Sequence, residues 1–201
     1  KEMIFWDVAV NKETGKVMDK FHCPHCGLLT EKRNVEKAKI TLYDKALGKT
    51  IEQAKQVPVM INYSVGRQRF EKAPDEDDLK LIEKIEEMDI PHWYPTEPFM
   101  FKGEEWGDTW RSGIHLGITH VHHFYTKRNL WVLSVLHHKT TEIRDNRTKN
   151  HSLFLFTSIF SRTHKMNRYM PNHNRHVGPL AGTLYIPSLP TEINPINIWK
   201  D

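Results

Sequence analysis

Two cysteines, and no more, occur in this 201-residue chain, and they stand together in Cys23-Pro24-His25-Cys26-Gly27. That spacing is one knuckle of a zinc ribbon, which offers a tetrahedral ion two of its four ligands. The remaining pair must come from elsewhere. In a ribbon a β-hairpin separates the two knuckles, and Ile4 to Val10 with Lys16 to His22 are expected to form that hairpin around Asn11-Lys12-Glu13-Thr14-Gly15. The second knuckle would then precede Lys1, which makes a segment of a longer protein the expectation. Two other readings stay open: a redox C-x-x-C, which would open a helix after a strand, and two plain thiols. His22 and His25 are at hand to complete a makeshift site, although ligands so close in sequence seldom converge on one ion.

The chain is long enough for one domain or slightly more with a sizeable core. No apolar run approaches the roughly 18 residues of a membrane span, and no signal sequence opens it. With a lone knuckle in place of a disulfide framework, this makes a cytoplasmic protein with no membrane partner the expectation. The formal net charge is +4, but its distribution is uneven. Acidic residues crowd into Asp75-Glu76-Asp77-Asp78 and Glu83 to Glu87, whereas Arg144 to Arg175 is basic. A one-sided basic stretch favours an anionic partner, nucleic acid first, against the plainer alternative of a solvated charged face.

The pattern reads as α+β in three stretches: a half zinc-ribbon hairpin over residues 1–33; a small antiparallel sheet, a helix and a long aromatic loop over 34–117; and a helical segment with a basic run and a closing strand over 118–201. Lys39 to Asp44, Val57 to Val65 and Arg67 to Lys72 carry the β-branched and aromatic residues of strands, with Gly66 at a turn. Pro74-Asp75 followed by Leu79, Ile82, Ile85 and Met88 starts an amphipathic helix that Pro91 ends. Residues 91–117 hold His92, Trp93, Tyr94, Phe99, Phe101, Trp106 and Trp110 with little periodicity, as in a functional loop. Two apolar helices are expected to be buried: Lys127 to His138, capped by Thr126, and Leu153 to Phe160, capped within Asn150-His151-Ser152 and running on through Arg162, Lys165 and Arg168. Gly182 to Pro187 reads as a strand, and a short helix follows Asn194-Pro195.

Several strings in fixed order carry a resemblance: Phe5-Trp6-Asp7, the Cys23–Cys26 knuckle, Lys55-Gln56-Val57-Pro58-Val59, Ile61-Asn62-Tyr63, His123-Phe124-Tyr125-Thr126-Lys127-Arg128-Asn129-Leu130, Lys165-Met166-Asn167-Arg168, and Gly178 to Pro187. Together they resemble the middle segment of large bacterial or phage-type adenine-specific DNA methyltransferases, which use S-adenosylmethionine. In that family a glycine-rich cofactor motif lies upstream and a D/N-P-P-Y/F catalytic loop downstream. Neither occurs here, and Asn194-Pro195-Ile196 lacks the second proline and the aromatic ring that stacks on an extruded base. The resemblance therefore implies no catalytic or cofactor-binding residue in this chain. It implies the zinc half-site at Cys23 and Cys26, and a place between the two motifs.

A region so placed often grips DNA while one base leaves the stack. The expected contacts to double-stranded DNA are Lys127, Arg128, Arg162, Lys165, Arg168, Asn172 and Arg175, with His173 and Asn174 beside them. Arg and Lys neutralise phosphates, and Asn can read an adenine edge. Arg162, Lys165 and Arg168 would share a helical face if the helix continued that far; the alternative is a solvated helix end whose cations complement the dipole. A competing function is structural: a segment that braces the remainder of the parent chain, or self-associates through exposed aromatics. An independent metal hydrolase built on His115, His120, His122, His123, His137 and His138 lacks a recognised ligand spacing. In Thr119-His120-Val121-His122 a strand would put His120 and His122 on one face, with no carboxylate nearby in sequence.

Overall fold

The computed structural model describes residues 1–98, 113–173 and 175–200. Its class is α+β: among the described residues, five α-helices and four separate two-stranded antiparallel sheets. Most of the long aromatic segment expected over 91–117, including Phe99, Phe101, Trp106 and Trp110, lies outside the described residues, as do Asn174 and the side chains of His173 and Arg175.

The N-terminal stretch departs from expectation. Phe5–Ala9 is a short helix, α1, in place of a strand, and it buries Ala9 while Phe5 packs edge-on against Phe21. The turn that follows is present: the Asn11 side chain accepts from the amides of Glu13 and Thr14, and Val10 bridges Val17. Gly15 is required there, because a Cβ would lie 2.4 Å from the Asn172 backbone. The strands are shorter and later than expected, β1 (Lys20–His22) pairing with β2 (Leu29–Glu31), so the hairpin loop itself carries the two cysteines.

Next come two hairpins, β3 (Lys39–Asp44) with β4 (Lys49–Ala54) and β5 (Ile61–Val65) with β6 (Gln68–Lys72). Helix α2 (Glu76–Glu87) starts at Asp75, whose side chain accepts from the Asp78 amide while Asp78 reaches back to the Asp75 amide, a reciprocal capping box. Helix α3 (Lys127–Thr141) is capped by the Thr126 side chain. Helix α4 (Asn146–Arg162) begins earlier than expected because Asp145, rather than Asn150 or Ser152, accepts from the Thr148 amide. A last hairpin, β7 (Arg168–Met170) with β8 (Arg175–Val177), was not anticipated. No strand forms over 182–187, and α5 (Pro195–Lys200) closes the described chain.

The core gathers Leu116, Ile118, Phe124, Tyr125, Leu130, Leu133, Ile159 and Ile186. Helix α3 fits the expected burial along one face only, and α4 corrects it: Ile159 is its buried residue, whereas Phe154 and Leu155 are 75% and 54% exposed. Polar side chains tie the helices together. Buried Asn129 on α3 donates to the carbonyls of Thr163 (2.9 Å) and Ile193 (3.0 Å), and Tyr125 donates to that of Phe160 at 3.0 Å. Ala54 of β4 packs against this core, and an open cleft of about 2830 Å³ is lined by residues of the hairpins and of the helices.

Candidate functional site

The densest group of titratable side chains sits where β3 meets the helical half. Asp44, the last residue of β3, is buried, and its Oδ1 accepts from the amides of Ala46 (2.9 Å) and Leu47 (3.1 Å), which shapes the β3–β4 turn. Its Oδ2 accepts from His122 Nε2 at 2.8 Å and His123 Nε2 at 2.9 Å. Both histidines are buried on the single 3-10 turn Val121–Phe124, so neighbouring rings, 4.2 Å between centroids, converge on one oxygen. The strand alternation expected for His120 and His122 is therefore not found: adjacent residues 122 and 123 converge, and His120 bonds the Thr119 hydroxyl at 2.8 Å.

The electrostatics follow from four donors on one carboxylate. Burial by itself would raise the Asp44 carboxyl, but hydrogen bonds from His123, His122 and the Leu47 amide outweigh it and bring it down to about 2. Burial pushes the His123 imidazole down to about 4, more than the Asp44 carboxylate can restore. Burial likewise lowers His120 and raises Tyr94, whose ring lies 5.9 Å from that of His122. A charged carboxylate facing a neutral His123 is the resulting state at neutral pH.

One ligand atom from each of Asp44, His122 and His123 lies within 4.8 Å of the others, so the trio could hold a metal ion through three ligands. The outer hydrogen bonds fit that use poorly. A metal-bound Nε2 leaves the proton on Nδ1, which then needs an acceptor. His123 Nδ1 instead accepts from the Thr119 amide at 3.2 Å, and His122 Nδ1 is buried with no hydrogen-bond partner among the described residues. The donor pattern is that of a hydrogen-bonded pin joining hairpin β3–β4 to the core. Sequence reasoning singled out the histidines but not Asp44, 78 residues away, since nothing local links them.

Backbone hydrogen bonds shape the loop that carries Cys23 and Cys26. The Cys23 thiol is held below its ordinary range by the backbone amides of His25 and Cys26, and the Cys26 side chain adds to this. The Gly27 amide donates to the Cys23 carbonyl at 2.9 Å with Gly27 at φ +73°, and the Cys23 amide donates to the Leu28 carbonyl. The nearby imidazoles are engaged elsewhere, His22 on the Gly27 carbonyl and His25 on that of Glu2. Both cysteines are free thiols, with Cys26 exposed.

The expected DNA-contacting residues do not form one patch. Lys127 donates to the Glu86 carbonyl, and Arg128 grips Glu192 with two nitrogens, Nε to Oε1 at 3.1 Å. Lys165 is half-buried and pushed down to about 8 by burial. Helix α4 ends at Arg162, so Arg162, Lys165 and Arg168 do not share a helical face; Arg168 lies in β7 and donates to the Gly178 carbonyl at 3.1 Å. Arg162 and Asn172 are exposed, and Arg175 is in β8 with its side chain outside the described residues. Exposed arginines without an acidic partner among the described residues are Arg67, Arg69, Arg144, Arg147 and Arg162.

No helix among the described residues is long and apolar enough to cross a membrane. No protein-family model, curated protein or solved structure matches the chain.

Proposed function

We propose that this chain is the DNA-positioning region of a larger adenine-specific DNA methyltransferase, with S-adenosylmethionine and the catalytic loop supplied by other parts of that protein. The observation that carries the DNA contact is the set of five exposed arginines without an acidic partner among the described residues, while most described acids are engaged by cations or caps. Guanidiniums that do not serve the fold remain available to phosphates. The methyltransferase assignment rests on the ordered strings of the resemblance. In this reading Cys23 and Cys26 are half of a structural zinc site, and the Asp44 pin keeps hairpin β3–β4 fixed to the core. The test is binding of the purified chain to a labelled 30-base-pair duplex across a salt series. Affinity that falls steeply between 50 and 200 mM salt supports the reading, and no binding at 50 mM refutes it.

A specific observation favours the bracing alternative. The chain exposes 14,081 Å², whereas a compact monomer of 23.7 kDa exposes about 9,800 Å². Subtracting about 170 Å² for each undescribed residue leaves an excess of roughly 1,500 Å², more than one side of a standard interface. That excess suits a segment whose surfaces are covered by the remainder of the parent. Self-association of the purified chain without duplex binding is the outcome this second reading expects.

A further inference from the structure

Hairpin β5–β6 is the most exposed regular element of the described chain. From Asn62 to Glu71 every residue is exposed, and Val65 beside the tip is 63% exposed. The pairing register is Asn62 with Glu71, Tyr63 with Phe70, Ser64 with Arg69 and Val65 with Gln68, closed by the two-residue turn Gly66-Arg67 with Gly66 at φ +62°. Strand alternation sorts the ribbon into two faces. One carries Ile61, Tyr63, Val65 and Phe70, whose two rings stack at 5.4 Å. The other carries Asn62, Ser64, Arg69 and Glu71. Arg67 at the tip and Arg69 beside it have no acidic partner among the described residues, in contrast to Lys72 at the base, which is held by Asp75 and Asp78 at 2.8 and 2.7 Å.

We infer that the β5–β6 ribbon is the element that enters the major groove of duplex DNA, with Arg67 and Arg69 as its principal contacts; the inference rests on the DNA-positioning reading. Dimensions and chemistry agree. Two paired strands about 4.8 Å apart, each about 17 Å long, fit a groove about 12 Å wide, and β-ribbons are among the elements that read that groove. The stacked Tyr63–Phe70 pair stiffens the ribbon without support from the core, as a groove-entering finger needs. Arg67 and Arg69 can each neutralise a phosphate flanking the groove, and Asn62 on the polar face can pair with adenine N6 and N7. This relocates the DNA contact from Lys127, Arg128 and Lys165, which the fold itself occupies, to guanidiniums without an acidic partner among the described residues.

The test compares the chain with its Arg67→Ala/Arg69→Ala variant on the same labelled duplex. Each lost phosphate contact flattens the dependence of log K on log salt by about 0.9. The double variant is expected to lose about 1.8 of slope and, counting that effect as absent at 1 M salt, roughly 60-fold in affinity at 0.1 M. Because both side chains are in solvent, ellipticity and Tm should not change. A Lys80→Ala/Lys84→Ala control on α2, which removes the same charge from residues outside the proposed contact, is expected to lose less than threefold. If the parent chain binds DNA and the ribbon variant binds as tightly, with the same slope, the ribbon is not the reader although the DNA-positioning reading survives. If the chain binds no duplex, that reading fails first. If Tyr63→Ala/Phe70→Ala abolishes self-association while the arginine variant changes nothing, the ribbon docks on protein and the inference is overturned.

Discussion

Asp44→Asn keeps the size of the side chain and removes one acceptor from a group that needs two. The carboxylate takes four donors, the amides of Ala46 and Leu47 on one oxygen and the two imidazoles on the other. Whichever way the new amide is turned, its NH2 faces two of them. With the NH2 toward the histidines, His122 can adapt by moving its proton to its unpartnered Nδ1 and accepting at Nε2. His123 cannot do so, because the Thr119 amide already donates to its Nδ1. The loss is therefore one charge-assisted hydrogen bond, about 1.5–3 kcal/mol, and one buried donor left facing a donor, about 1–3 kcal/mol. A total of about 3 kcal/mol is expected, a fall in Tm of roughly 6–12 °C for a chain of this size. Thermal and urea unfolding at pH 7 read it directly. A double-mutant cycle with His123→Ala should show coupling above about 1 kcal/mol. If Asp44→Asn costs less than about 1 kcal/mol, the carboxylate is not holding the hairpin to the core and the pin is refuted.

The same group sets an acid sensitivity. His123 titrates near 4 when folded against an ordinary value of 6.5, so its contribution is complete above pH 6.5. It is lost as pH falls toward 4, by about 3 kcal/mol at 1.36 kcal/mol per pH unit, and Asp44 adds a further loss from about 4 to 2; unfolding free energy that is flat from pH 7 to 4.5 would contradict this. Gly117→Ala should cost more than about 2 kcal/mol, since the glycine sits at φ +78° with a Cβ position 2.0 Å from the Glu52 carbonyl oxygen, and an unchanged Tm would show that the loop does not lie on β4. Lys165→Met should be neutral or stabilising and leave duplex affinity unchanged, because burial disfavours its charge; a tenfold loss of affinity would return Lys165 to the DNA surface. Zn²⁺ should bind through the knuckle and not through the Asp44 trio, so Cys23→Ser/Cys26→Ser should abolish binding measured by dye competition, and zinc retained at full affinity would move the site to Asp44, His122 and His123.

Local chemistry was legible in the sequence wherever a side chain meets its own backbone within a few residues. Asp75 and Thr126 cap helices, Asn11 shapes a turn and Pro195 opens the last helix, because each depends on groups at most four residues apart. Where two local solutions compete, the tertiary structure decided. Phe5-Trp6 and their neighbours have strand composition, yet they form a helical turn that sets Phe5 against Phe21. Helix α4 starts at Asp145 because that cap comes first, and it turns only part of its apolar surface inward because α3 and α5 cover only part of it. The charges show the division most clearly. The sequence determined which cations exist, but not which are free: Arg128 met Glu192 from 64 residues away, Lys165 became half-buried, and Asp44 came to two histidines across 78 residues of chain. Partners so far apart are chosen by packing, since their attraction acts only once the core has brought them within a few ångströms.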